Sequence, residues 1–171
     1  MSTFVSVGNA HQPFTRLLAA VAAVANQLPQ PVIVQHGHTP FPGSACQVVP
    51  FLEMSRFVQM IVAADLVILQ AGGGAVIQAI QAGKTPVIVP RRAEHGEHVD
   101  NHQVSWGRTF ASTGRVVLVE DLGGLVLAAH QALERQAQSR VELVSQPLLV
   151  STIGEILAQY AASERFGRNA R

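Results

Sequence analysis

The sequence predicts a single α/β domain, doubly wound around a mostly parallel sheet. Three observations carry this. Short β-rich apolar runs alternate with longer stretches of helical spacing, and each change of type is marked by Gly, Pro or Asn. The strands are unbroken apolar runs instead of in/out alternations, which suits a sheet covered on both faces. Strands separated by helices pair in parallel through right-handed crossovers.

Thr3 to Val7 reads as the first strand, closed by Gly8-Asn9. Pro13 to Gln27 reads as a helix, with proline in its first turn and Leu28-Pro29 past its end. A second strand runs from Pro31 to Gln35 and ends at His36-Gly37-His38, before a Pro/Gly/Ser loop over 39–45. Gln47 to Phe51 is the third strand. Glu53 to Ala64 is a helix with Phe57, Val58, Ile61 and Val62 on its apolar side. Leu66 to Leu69 gives the fourth strand, Ala75 to Ala82 a helix ended by Gly83, and Thr85 to Pro90 the fifth strand. A polar loop through Glu97 leads to a helix from Val99 to Ser112, ended by Thr113-Gly114. Arg115 to Val119 is the sixth strand and Leu125 to Gln136 the next helix. In the remainder, over about 148–165, Ile153, Ile156, Leu157 and Tyr160 recur at helical spacing.

Composition bounds the function. The 171 residues suit one domain over 1–171, large enough to fold without a disulfide or metal staple. At 48% hydrophobic and 13% charged, the chain is neither disordered nor a coiled coil. A net charge of +1 gives no bulk attraction to nucleic acid or an anionic bilayer. So little charge makes an uncovered apolar patch, and hence a partner or a homo-oligomer of the isolated chain, an expectation. Cys46 is the only cysteine and suits a cytoplasmic address as a buried small hydrophobe. No apolar run reaches the roughly 18 residues of a membrane span.

In doubly wound sheets, ligands bind beyond the carboxyl ends of the strands. The loop Gln70-Ala71-Gly72-Gly73-Gly74-Ala75 follows an apolar strand and opens a helix. Glycine lets the backbone approach an anion, and a helix N-terminus supplies free N–H groups with partial positive charge. The loop reads equally as a phosphate cradle or as a tight strand-to-helix turn. It is not a Walker loop, since no Gly-Lys-Ser/Thr follows, and no strand-end acid completes a dinucleotide fingerprint. The second polar concentration is Arg91 to Gln103. His95, His98 and His102 at i, i+3 and i+7 could ligate zinc from one helix face. Gly96 and the lack of a thiolate oppose that, leaving a polar pocket for a sugar or phosphate, or a solvated helix start. We expect no bound metal. Trp106 reads as packing on its helix and His130 as a surface residue.

Together these segments resemble the C-terminal domain of glycosyltransferase family 28. Val5-Ser6-Val7-Gly8 with His11-Gln12-Pro13-Phe14-Thr15-Arg16-Leu17 is similar to its opening. Ala64-Asp65-Leu66-Val67-Ile68, the glycine loop and Ala82-Gly83-Lys84-Thr85-Pro86 are similar to its donor-binding core. Pro90-Arg91 and Gly96-Glu97-His98-Val99-Asp100-Asn101-His102-Gln103 resemble the short, two-subunit branch. That branch holds bacterial exopolysaccharide subunits of the PssE type and the catalytic subunit of the eukaryotic dolichol-linked N-acetylglucosaminyltransferase. The likeness runs in order over residues 3–122.

The resemblance implies a Rossmann-like domain equivalent to the C-terminal half of a GT-B enzyme. It implies a hexosyltransferase subunit that moves sugar from a UDP-sugar to a lipid-linked acceptor, with no cofactor. It would sit in the cytoplasm, held at a membrane by an acceptor-binding partner subunit. Gly8, Asn9 and the amides of Gly72, Gly73, Gly74 and Ala75 would then lie at the diphosphate. Gln78 would lie at the ribose, and Asp100, His102 and Gln103 at the sugar. The family loop usually reads His-Gly-Gly-Ala-Gly-Ser or Thr, with Glu where this chain has Gln78 and Thr where it has Asn9. Gln70 cannot shuttle a proton near neutral pH, and Ala75 lacks the hydroxyl. A non-catalytic UDP-sugar-binding or scaffolding paralogue is the alternative.

Overall fold

The apolar runs pair edge to edge as β1 (Thr3–Ser6), β2 (Val32–Gln35), β3 (Gln47–Val49), β4 (Leu66–Gln70), β5 (Val87–Val89) and β6 (Val117–Leu118). Helices α1 (Thr15–Val24), α2 (Met54–Ala63), α3 (Gly73–Gln81), α4 (His102–Ser112) and α5 (Leu125–Glu142) join them. All six strands are parallel, in the order β3-β2-β1-β4-β5-β6. This computed structural model describes residues 1–142. The chain divides into compact units over Met1–Ala137 and Gln138–Arg171, and the fold described is that of the first. The helix expected over 148–165 lies outside the described residues.

Strand register sorts the core into two layers. Val5 stands beside Val34 and Ile68, Ile68 beside Val87, and Val87 beside Val117. This row is buried with Leu17, Leu18 and Val21 of α1 and Leu125, Ala128, Ala129 and Ala132 of α5. On the opposite face the Phe4 ring meets Phe57 of α2 edge-on at 5.6 Å. There α4 approaches so closely that a Cβ on Gly107 would stand 2.9 Å from Leu118 Cδ1. Burial on both faces explains the unbroken apolar runs, each large side chain contributing about 1.5–3 kcal/mol.

Several element ends differ from the sequence expectation. α4 begins at His102, not Val99. Gly96 at φ 65° breaks the chain's direction, and the Asp100 carboxylate accepts the His102 N–H at 3.0 Å, a local bond that competes with helix. α3 begins at Gly73, two residues earlier than expected, so Gly73 and Gly74 belong to its first turn. β3 stops at Val49, before Pro50, and is mostly exposed at the sheet edge. β6 has only two residues where five were expected.

The apolar patch expected from the low charge is present. Phe51, Met54, Val58 and Val62 are exposed, the last three at successive i, i+4 positions of α2. No described helix is long and apolar enough to cross a membrane. Cys46 is half-buried against the core, where burial raises its thiol pKa.

Candidate functional site

The strand order reverses between β1 and β4, and that is where an open parallel sheet leaves a crevice at its carboxyl edge. A cavity of about 240 Å³ lies there. The end of β1 lines it with Ser6, Gly8 and Asn9, β2 with Gln35, and β4 with Gln70. Gly74, Ala75 and Gln78 of α3 form one wall, and Leu52, Met54 and Phe57 form an apolar one. None of these side chains ionises near neutral pH. The polar groups the cavity offers are therefore backbone amides and the neutral side chains of Asn9, Gln35, Gln70 and Gln78.

The wall made by α3 is suited to an anion. Its first helical bond runs from Val76 N–H to Gly72 O at 3.2 Å, so the N–H groups of Gly73, Gly74 and Ala75 have no helical acceptor. The three glycines play different parts. A Cβ on Gly74 would meet nothing within 4 Å, whereas one on Gly73 would stand 2.4 Å from the Trp106 ring. Gly73 is thus needed for packing against α4, and Gly74 is the glycine whose open side faces the cavity. Gln78 donates from Nε2 to Met54 Sδ at 3.4 Å, while its buried Oε1 has no hydrogen-bond partner among the described residues.

A buried polar layer supports the β1 turn. Ser6 Oγ donates a short hydrogen bond to Gln35 Oε1. Gln35 Nε2 in turn donates to Gly8 O at 3.2 Å and to Pro50 O at 3.1 Å, and reaches Asn9 Oδ1 at 3.4 Å. Beside it, Arg91 is wholly buried. Its Nη1 donates to Gln12 O (2.7 Å) and Glu97 O (3.0 Å), its Nη2 to Val7 O (2.8 Å) and its Nε to Gln70 Oε1 (2.6 Å). The Phe14 ring lies 4.7 Å from the guanidinium carbon. Burial pushes the Arg91 pKa down to about 10, against the raising effect of Glu97, so it stays charged at neutral pH. Glu97 is itself buried and takes both arms of Arg16, at 3.0 and 2.9 Å.

The residues expected at the sugar divide. Asp100 and His102 form an exposed cluster with His98. Asp100 Oδ1 lies 2.5 Å from His102 Nδ1 and 3.3 Å from His98 Nδ1. His98, Asp100 and His102 are close enough to share a cation, but His95 is not among them, so the one-face histidine arrangement does not form. His95 ends a short 3-10 turn over Ala93–His95 and His98 lies in the loop that follows, so neither belongs to α4, which starts at His102. Gln103 is buried, and its Oε1 accepts the Arg91 N–H at 3.1 Å. None of Asp100, His102 and Gln103 lines the cavity.

The Asp100 carboxyl is held below the usual carboxylate range, chiefly by the His102 backbone N–H and then by the imidazole. A depressed folded-state pKa contributes stability above the unfolded value, and that stability is lost as pH falls through the folded value. Asp100→Asn should therefore lower the urea midpoint slightly at neutral pH and have no effect in acid. The effect is small because the side chain is 57% exposed and screened. Parallel urea titrations of the two proteins across pH would check this, and an equal difference at every pH would contradict it.

Of the residues expected to bind, Gly8, Asn9, Gly74, Ala75 and Gln78 come together at the cavity, whereas Gly72 and Gly73 are not in its lining. Sequence reasoning missed Ser6, Gln35 and Arg91. The available signal was a polar residue ending each of two apolar strands and an arginine directly after the third.

The profile of the glycosyltransferase family 28 C-terminal domain matches residues 3–144. No curated protein sequence matches significantly. Among solved structures, the chain is similar to a glycosyltransferase of kitacinnamycin at 17% identity and a TM-score of 0.61, covering 83% of this chain and 38% of that one. It is similar to MurG of Acinetobacter baumannii at 20% identity and a TM-score of 0.55, covering 92% and 49%. It is also similar to the glycosyltransferase SnogD from Streptomyces nogalater at 16% identity and a TM-score of 0.53. At such identities the likeness is one of fold. The chain spans less than half the length of each of these proteins.

Proposed function

The chain belongs to the glycosyltransferase family 28 C-terminal domains, and on that premise we propose that it is the donor-binding half of a UDP-sugar-dependent hexosyltransferase. The observation that carries this reading is the glycine-opened α3, whose unbonded amides face a cavity at the switch point of the sheet. The diphosphate lies against Gly74, Ala75 and the Gly8 turn, the ribose near Gln78, and the sugar toward Asp100 and His102 at the end of β5. The helix N-terminus and the amides offset the charge of the departing diphosphate, a role for which no metal is required.

The reaction is attack of an acceptor hydroxyl on the anomeric carbon, with the carbon–oxygen bond to UDP breaking and the hydroxyl proton passing to a base. The cavity lining offers no base, which fits an acceptor half contributed by another polypeptide. The resemblance of residues 90–103 to the two-subunit branch supports a membrane-associated partner carrying a lipid-linked acceptor. The second reading, a UDP-sugar-binding paralogue without catalysis, draws on the same neutral lining and on Gln70, Ala75 and Gln78.

Calorimetry should show UDP binding in the presence of a chelator. Transfer from a UDP-sugar to a lipid acceptor should appear only when membranes carrying the partner are added. No UDP binding would remove the donor-half reading. Binding without transfer under every condition would leave the paralogue.

A further inference from the structure

We infer that Arg91 is a positioning residue that fixes the direction of the Gln70 amide, so that Gln70 presents its Nε2–H group as a hydrogen-bond donor to a diphosphate oxygen. This rests on the donor-site reading above and assigns a role to the residue that replaces the family's usual histidine.

The inference follows from what arginine can and cannot do. A guanidinium carries only donors. Three backbone carbonyls, those of Gln12, Glu97 and Val7, hold the two terminal nitrogens of Arg91, and the group is wholly buried. The remaining Nε–H is therefore aimed in one direction, at Gln70, 2.6 Å away. Whatever faces it must accept. The usual ambiguity of a glutamine amide is thereby removed, because the flipped amide would set two donors against each other. Oε1 stays on Arg91 and Nε2 must point the other way.

On that other side are the two glycine turns. A Cβ on Gly8 would stand 2.0 Å from Gln70 Nε2, and one on Gly72 would stand 3.2 Å from it. At Gly8 a Cβ would take the place of the amide itself, and at Gly72 it would press on it, so the amide fits between the β1 turn and the start of α3 as these glycines leave it. Gly8, at φ 74°, has the left-handed backbone that favours glycine as well. Gln70 Nε2 donates to no group among the described residues, and Gln70 lines the cavity beside Gly8 and Gly74. A donor held at this point extends the row of amides at the α3 N-terminus into a concave set of N–H groups, the arrangement that favours a bound anion.

The test compares UDP with uridine, which lacks the diphosphate, on wild type, Gln70→Glu and Arg91→Lys. In Gln70→Glu the carboxylate keeps the Arg91 bond as a charge-assisted pair, so thermal stability should hold, but an acidic oxygen now faces the anion. UDP affinity should fall about 10- to 100-fold, the scale for a lost hydrogen bond to a charged group, with uridine affinity unchanged. Arg91→Lys should show the same split, since an ammonium cannot hold the amide in one direction. In 15N-labelled wild type, the Gln70 side-chain amide resonance should shift on addition of UDP and not of uridine. That measurement decides the matter should either variant fail to fold. Unchanged UDP affinity in Gln70→Glu, equal losses for UDP and uridine, or an unshifted Gln70 amide would overturn the inference while leaving the donor site standing. Wild type that binds no UDP would remove both.

Discussion

Arg91→Ala should lower the free energy of unfolding by about 3–5 kcal/mol, the scale for removing one partner of a buried charged network. The guanidinium is fully buried and donates to the carbonyls of Val7, Gln12 and Glu97 as well as to Gln70. Alanine leaves those acceptors without donors in a space too closed for bulk water, and it removes a cation near the Glu97 carboxylate, which is only 3% exposed. Arg16 still holds Glu97, so the loss stops short of an entirely unpaired charge. The bonds of Arg91 join the ends of β1, β4 and β5, and their loss should loosen the carboxyl edge of the sheet before its middle. Urea denaturation would read the total, and amide exchange at Val7 and Ala71 would read the place. A midpoint shift worth under about 1 kcal/mol would mean that the guanidinium does not tie these strands together.

Gly74→Val should reduce UDP affinity by about 100-fold or more while leaving the fold intact. At Gly74 a side chain meets no protein atom within 4 Å, and valine is a slightly better helix former than glycine. Its branched carbons would occupy the space in which the α3 amides meet the anion. Gly73→Val makes the contrast. A Cβ there would lie 2.4 Å from the Trp106 ring, so α4 must shift and stability should fall by about 1–3 kcal/mol. Loss of binding in Gly73→Val would therefore report on packing as much as on the anion, and Gly74 is the sharper test. Calorimetry with UDP and a thermal melt on both variants would separate the two. Gly74→Val that binds UDP as wild type does would remove the α3 amides from the site.

The order of strands and helices was legible because the apolar runs are punctuated by Gly, Pro and Asn, and because burial on both sheet faces suppresses alternation. The glycine loop was legible as a feature, but its division of labour was not. Whether Gly73 or Gly74 faces open space depends on where Trp106 lies, thirty-odd residues on. The start of α4 was misjudged because Asp100 and Asn101 bind backbone N–H groups locally, Asp100 that of His102 and Asn101 that of Ala93. Arg91 read only as the start of the polar stretch that runs to Gln103, with no role of its own. Its burial depends on carbonyls at Val7 and Gln12, which lie 84 and 79 residues earlier in the sequence. Gln103 was expected at the sugar, but its oxygen is committed to the Arg91 N–H, a demand visible only once the β5 turn is built. Long-range demands of this kind leave no local pattern.

The central place of β1 also governs how the chain folds as it is made. Thr3–Ser6 pair with Val32–Gln35 on one side and with Leu66–Leu69 on the other. Strand β1 is thus made before either of its neighbours and is enclosed only when β4 follows. It gains one neighbour when β2 emerges, and its other edge stays bare until β4 has been synthesised. Through that interval an apolar strand edge, later the most protected in the sheet, is open to pairing with other chains. The nascent domain therefore carries this bare edge until the arrival of β4, whose last residue, Gln70, also begins the glycine loop, ends the exposure.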